Sequence, residues 1–233
     1  MSAWTGVWSL LCDLCVGLRA LCVLLFTMTS FRFGAVVLAA GASTRMGEPK
    51  QLLRLEGRTL LRRTVDAVFA SSAWPVVVVL GAQSELIRPE VARLPVLIVE
   101  NGDWKEGLSS SIRAGVGVLE TFSLLLQAGL LVTCDQPNFS AEAVARLIRV
   151  HRQGGPSIVA ARYGGHPGSP ALFARSHFHE LMGLHGPEGA RPLFARHAER
   201  FATVDLPELA TDLDTPEDYR EFVAARHVAP RPS

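Results

Sequence analysis

Gly34-Ala-Val-Val-Leu-Ala-Ala-Gly-Ala-Ser-Thr-Arg-Met-Gly-Glu-Pro-Lys50 is the stretch that decides the fold. Its first half is a short, unbroken apolar run, the pattern of a strand buried on both faces. At Gly41 it gives way to a loop of small residues that ends in two cations, Arg45 and Lys50. A strand of this kind belongs inside a sheet covered on both sides, so the next segment must be a covering helix.

The chain downstream follows that rule. Leu60 to Ala70 carries apolar residues at helical spacing, and Pro75 opens a second buried strand, Val76 to Leu80. Val96 to Val99 reads as a third strand, Ser110 to Leu119 as a helix and Leu130 to Thr133 as a fourth strand. A helix from Ser140 to His151, with Ser140 as its N-cap, and a strand from Ser157 to Ala161 complete the pattern. Alternation of this kind predicts a three-layer, Rossmann-like α/β fold with a mostly parallel central sheet. On such sheets ligands bind beyond the carboxyl ends of the strands.

Composition sets the limits. With 48% hydrophobic and 19% charged residues in 233, the chain fills one domain and is neither disordered nor fibrous. Its 23 basic and 22 acidic side chains leave a formal charge of +1, which gives no field to hold a nucleic acid or an anionic membrane. Any phosphate must be gripped locally. Four cysteines are too few for a disulfide framework, so a reducing, cytoplasmic setting is expected; Cys12, Cys15 and Cys22 read as apolar filler, having no nearby histidine to complete a zinc site.

The run from Leu10 to Phe26 approaches the length of a membrane span, but Asp13 and Arg19 interrupt it and no basic residue precedes it as in a secretory signal. Residues 1–30 are therefore read as an apolar extension outside the domain, translated when a start upstream of Met28 is used. Residues 31–228 are read as one domain and 229–233 as a frayed tail.

The loop after the first strand is the first place to look for chemistry. Small side chains let backbone N–H groups approach phosphate oxygens, and Arg45 and Lys50 can neutralise charge on a leaving polyphosphate. The loop is neither a Walker A sequence nor a G-x-G-x-x-G dinucleotide fingerprint, and by composition alone such a loop is more often a structural turn than a binding loop. Asp135 directly follows the fourth strand, where it is either a turn or helix-start aspartate or a ligand for a divalent cation. Asp212 and Asp214 alternate along what reads as an extended stretch and so share a face. Asp214 can equally cap a helix beginning near Pro216. His166 reads as an exposed residue of a glycine- and proline-rich loop.

The spacing is more specific than the composition. Leu38 to Leu53 resembles the signature L-A-A-G-x-S-x-R-M-G-x-P-K-Q-L-L of the molybdenum cofactor cytidylyltransferase family, within the nucleotidyltransferase fold shared with sugar-nucleotide pyrophosphorylases. Asn101 to Arg113, Thr133 to Pro137, Gly165 to Pro170 and Thr211 to Asp218 resemble four further blocks of that family in the same order. Gly186-Pro-Glu-Gly-Ala-Arg191 resembles another, with Pro187 in place of the usual aspartate, which puts a polar contact from that position in doubt.

The resemblance implies a fold of the nucleotide-diphospho-sugar transferase type. It implies that CTP lies over Leu38, Ala39, Ala40, Gly41, Arg45 and Lys50, with Gly107 and Ser109 from the second block. Mg2+ would be held by Asp135, Asp212 and Asp214, and the pterin by His166, Gly168, Pro170 and Arg191; Trp104 is a packing residue or a wall of the nucleotide site. The implied reaction moves CMP from CTP to the terminal phosphate of Mo-molybdopterin and releases pyrophosphate, with a molybdenum hydroxylase receiving the product. Ala40, where guanylyl-transferring relatives carry glycine, favours CTP. Guanylyl transfer, a sugar-phosphate nucleotidyltransferase and a non-catalytic cofactor carrier remain as alternatives, and neither nucleic acid nor membrane is expected as a partner.

Overall fold

Strand β1 (Phe33–Ala39) is buried along its whole length because it is paired on both edges and covered on both faces. The computed structural model describes residues 31–228. The expected extension at 1–30, with its three cysteines and the Leu10 to Phe26 run, and the tail at 229–233 lie outside the described residues. Among the described residues no helix is long and apolar enough to cross a membrane.

After β1, a two-stranded hairpin of β2 (Arg54–Leu55) and β3 (Arg58–Thr59) leads into helix α1 (Leu60–Ala70). Strand β4 (Val76–Leu80), the short helix α2 (Ser84–Ile87), strand β5 (Leu97–Glu100) and helix α3 (Leu108–Phe122) follow. Then come β6 (Ala128–Thr133), α4 (Ala141–Arg152), β7 (Ile158–Tyr163), β8 (His166–Ala174), α5 (Phe178–Met182), α6 (Arg191–Arg196), β9 (Phe201–Asp205) and α7 (Pro216–Val228). The main sheet has seven strands in the order β5-β4-β1-β6-β8-β7-β9. Helices α1 and α4 cover one face, and α3, α5 and α6 the other.

The sequence-level elements reappear with small boundary shifts. Thr59 caps α1 by accepting from the Arg62 N–H, and Ser140 caps α4 by accepting from Ala143 N–H, both at 3.3 Å. Leu60, Leu61, Val65 and Val68 form the buried stripe that the spacing predicted.

Two expectations are corrected. The segment holding His166, Gly168 and Pro170 is the first half of β8, not a loop. Pro167 and Pro170 argue against a strand in sequence, but a register shift between Ala160 and Ala161 of the partner strand accommodates them. Gly164 and Gly165 supply the turn, with φ of 56° and 82° that suit a tight hairpin. Strand β8 is antiparallel to both neighbours, so the sheet is parallel except at that strand. The stretch holding Asp212 and Asp214 is irregular rather than a strand, tied down by Leu213 N–H donating to the Asp135 carbonyl at 3.1 Å.

Helix α3 lies close over β1 because Gly115 has no side chain. A Cβ there would sit 2.3 Å from Val36 Cγ1 and 3.0 Å from Val79 Cγ2, both on β-branched core residues. Helix propensity favours Gly115→Ala by about 1 kcal/mol. Overpacking of a fixed core opposes it by about 1 to 3 kcal/mol, and an overlap this deep belongs at the upper end. We expect Gly115→Ala to be net destabilising in urea titration; a raised midpoint would contradict the close packing.

Candidate active site

The chain runs from β1 out to β4 and β5 on one side and then crosses back to β6 on the other. This reversal opens a crevice at the carboxyl ends of β1 and β6, and the loop after β1 and Asp135 both enter it.

The loop owes its shape to two residues that composition did not single out. Gln51 is 1% exposed, and its side-chain amide donates to the Ala39 and Gly41 carbonyls at 2.9 Å each. Ser43 Oγ accepts from Lys50 N–H at 3.0 Å and donates to Gln51 Oε1 at 3.3 Å. Met46 anchors the far side in a small core with Leu53, Leu55, Leu60 and Leu213, against which Tyr219 and Phe222 of α7 pack. The loop and the Asp212–Asp214 segment are thus fixed on one apolar base.

That base brings opposite charges together across 164 and 169 residues of chain. Lys50 Nζ lies 2.8 Å from Asp135 Oδ2 and 3.1 Å from Asp214 Oδ1, while Arg45 Nη2 lies 2.7 Å from Asp214 Oδ2. Burial works against the Lys50 ammonium, but Asp135 and Asp214 outweigh it and its pKa is raised. Burial likewise opposes ionisation of Asp135, and Lys50 reverses this, so that its pKa is lowered. For Asp212 the balance tips the other way: burial and the charges of Asp135 and Asp214 outweigh Lys50 and a hydrogen bond from Gln136 and push it up to about 6. Three carboxylates thus gather around the Lys50 ammonium, an excess of negative charge that a divalent cation relieves.

The Asp214 carboxylate faces Lys50 and Arg45 and does not cap α7. Thr215 does, accepting from Asp218 N–H at 3.2 Å while Asp218 Oδ2 accepts from Thr215 N–H at 2.8 Å, a reciprocal capping box.

Two recesses flank the charged centre. One, of about 310 Å³, is lined by Leu38, Thr133, Asp135, Gly168, Arg191 and Asp212 together with Tyr163, whose phenol is pushed up to about 12 by burial and then by the charges of Asp212 and Asp135. The other, of about 470 Å³, lies between Ala42, Ser43, Thr44 and Gly47 of the loop and Gly81, Gln83 and Trp104.

Not every expected contact lines a recess. His166 is exposed at the start of β8, and Pro170 is buried in that strand. Ala40 is 5% exposed; a Cβ on Gly81 would lie 2.8 Å from both the Ala40 and the Trp104 Cβ atoms, so the three form one packed wall behind the second recess. Ser109 is fully buried and donates to the His185 carbonyl at 3.1 Å, so its hydroxyl braces the 184–190 loop rather than facing the crevice. Gly107, at φ 115°, lets Pro187 pass 2.7 Å from where its Cβ would be. Arg113 completes this clamp, donating to Glu106 at 2.5 and 2.6 Å and to the Leu184 carbonyl at 2.7 Å, which holds the Glu106 carboxyl down to about 2. The second block therefore ties the two recesses to each other.

Comparison with known proteins agrees with this architecture. Rv0371c from Mycobacterium tuberculosis H37Rv superposes with a TM-score of 0.72 and 29% identity over 84% of this chain and all of that one. Its manganese complex superposes at 0.68, with 28% identity over 83% of this chain and 99% of that one. A protein named nicotine blue oxidoreductase from Paenarthrobacter nicotinovorans is 37% identical over 143 residues, 61% of this chain and 67% of its own length. The molybdenum cofactor cytidylyltransferase of Escherichia coli K12 is 22% identical over 184 residues, 79% of this chain and 92% of its own. The sequence profile described as the MobA-like NTP transferase domain matches residues 35–201, from the third residue of the strand behind the glycine loop to the first of β9. That span takes in the glycine loop with Arg45 and Lys50 and the strands from β4 to β8 with Asp135, while Asp212 and Asp214 lie beyond it; the chain belongs to the MobA-like NTP transferase family, a nucleotidyltransferase of the nucleotide-diphospho-sugar transferase fold.

Proposed function

We propose that the protein transfers CMP from CTP to the terminal phosphate of Mo-molybdopterin, with release of pyrophosphate. The observation that carries the reading is the Lys50 ammonium held between Asp135 and Asp214, with Arg45 beside it, at the strand ends between two recesses. The nucleotide occupies the recess between the loop and Trp104, and the pterin the one lined by Gly168 and Arg191. Asp135, Asp212 and Asp214 would hold Mg2+, which supplies charge neutralisation at the phosphate oxygens when bound; the upward shift of Asp212 toward 6 supports that assignment.

The acceptor phosphate is already anionic near neutral pH, so the chain's task is positioning and charge compensation rather than proton abstraction. Lys50 and Arg45 are paired to carboxylates in the resting site and would neutralise the negative charge that develops on the leaving pyrophosphate as it separates. Arg45, 70% exposed, has the freedom to follow the leaving group, whereas Lys50, 19% exposed, is fixed. The product would pass to a molybdenum hydroxylase.

The test is incubation of the purified protein with Mg2+, CTP or GTP, and either Mo-molybdopterin or a sugar phosphate as acceptor, with pyrophosphate measured. Release with CTP supports the proposal, preference for GTP overturns the cytidylyl assignment alone, and release only with a sugar phosphate as acceptor overturns the substrate. Pyrophosphate from none of these would favour an oxidoreductase activity like that in the name of the Paenarthrobacter relative, or a carrier role.

Base preference gives a second prediction. Ala40 backs the wall that carries Gly81 and Trp104, so removing its methyl relaxes the nucleotide recess without touching the charged centre. Ala40→Gly is expected to raise the kcat/KM ratio of GTP over CTP by about tenfold, the lower range for one methyl group in a pocket. An unchanged ratio would move the selectivity to Gln83 or to the 107–110 segment.

A further inference from the structure

We propose that His177, Glu180 and His197 form a three-ligand site, its fourth position left to water, for a divalent transition ion of the zinc class, separate from the carboxylate centre. Their ligand atoms all lie within 4.8 Å of one another, and among the described residues no other group of histidine, cysteine and acidic residues is gathered so closely; the Asp135, Asp212 and Asp214 carboxylates do not all come within that distance. His177 Nδ1 is 3.2 Å from Glu180 Oε1, and His197 Nε2 is 2.9 Å from each oxygen of the same carboxylate. Tetrahedral bonds of about 2.0 to 2.1 Å place neighbouring ligand atoms about 3.3 Å apart, so small movements suffice to seat an ion.

The surroundings suit a ligand set. His177 is 5% exposed, and its other ring nitrogen lies 2.8 Å from Ser157 Oγ, a partner that fixes the imidazole and leaves Nδ1 for the ion. Glu180 turns both carboxylate oxygens toward cationic or imidazole partners, Oε1 to His177 and His197 and Oε2 to His197 and Arg196. Arg196 Nη1 sits 3.2 Å from Glu180 Oε2, but its side chain is 62% exposed and can turn away when a cation arrives. Two imidazoles and one carboxylate favour zinc, cobalt or nickel, whereas the oxygen-only centre at Asp135 favours magnesium or manganese.

The position indicates a bracing role. His177 follows β8 and His197 follows α6, at the end of the sheet where Ala174 pairs with Ala128, the first residue of β6. Asp135 lies beyond the other end of β6. An ion here would join the β8–α5 and α6–β9 connections, with Ser157 bringing in the start of β7.

The test uses the full chain, stripped with a chelator and titrated with Co2+. One equivalent should give the intense visible absorption of tetrahedral cobalt, displaced by Zn2+. The band should vanish in Glu180→Gln and His197→Gln and persist in Asp135→Asn. Zn2+ at a hundredfold excess over Kd should raise Tm of the parent protein by on the order of 5 to 10 °C, and not that of His197→Gln. His197 is partly exposed, so this variant serves even if changes at the buried His177 prevent folding. Absence of the band, or the same band in parent and His197→Gln, would overturn the proposal and leave the three side chains as a hydrogen-bonded cluster.

Discussion

Lys50→Ala is expected to lower kcat by about a hundredfold or more, the scale of removing one donor from a developing anion. The reasoning rests on where the ammonium sits. It is partly buried, held by two carboxylates on separate segments, and therefore cannot be replaced by a mobile surface cation. Removing it also leaves Asp135 and Asp214 facing each other without a common counter-charge, which should reduce stability by about 1 to 3 kcal/mol. The two losses separate experimentally: urea titration reports the second, and single-turnover pyrophosphate release on the folded fraction reports the first. Unchanged turnover in folded Lys50→Ala protein would remove this side chain from the mechanism.

Asp135→Asn is the other large effect. The amide keeps the shape and the hydrogen-bonding reach of the carboxylate but not its charge, so the substitution isolates electrostatics from packing. We expect the Mg2+ concentration for half-maximal activity to rise, and kcat/KM at fixed Mg2+ to fall by about a hundredfold, since a metal-stabilised transition state is worth several kcal/mol. Lys50 retains Asp214 as a partner at 3.1 Å, so the loop should keep its place. Superimposable Mg2+ titrations for the two proteins would end the assignment of Asp135 as a ligand.

The alternation of buried strands with amphipathic helices was legible in the sequence because both signals are local. Val76–Leu80 and Leu60–Ala70 have the bounds that their apolar spacing indicated, and Ser140 caps the helix that follows it. The same locality made Gly34 to Lys50 readable as a strand followed by a glycine loop with two cations. Strand β8 was not legible in the same way: its glycines and prolines carry the loop signal, and only pairing with β6 and β7 makes it a strand. Its one local clue was Gly164-Gly165, a dipeptide suited to a tight hairpin.

The chemical centre divides along the same line. Sequence alone named Arg45, Lys50, Asp135, Asp212 and Asp214, since each stands at a strand end or in a motif. Only the tertiary structure decided that Lys50 lies between Asp135 and Asp214, that Asp212 is pushed up to about 6, and that Thr215 rather than Asp214 caps α7. It alone turned Ser109 into a brace for the His185 carbonyl, made Gln51 the tether of the loop, and gathered His177, Glu180 and His197. The physical reason is range: backbone propensity and apolar period act over a few residues, whereas electrostatic coupling and hydrogen-bond partnership depend on distances that exist only after segments far apart in the chain have packed on a common core.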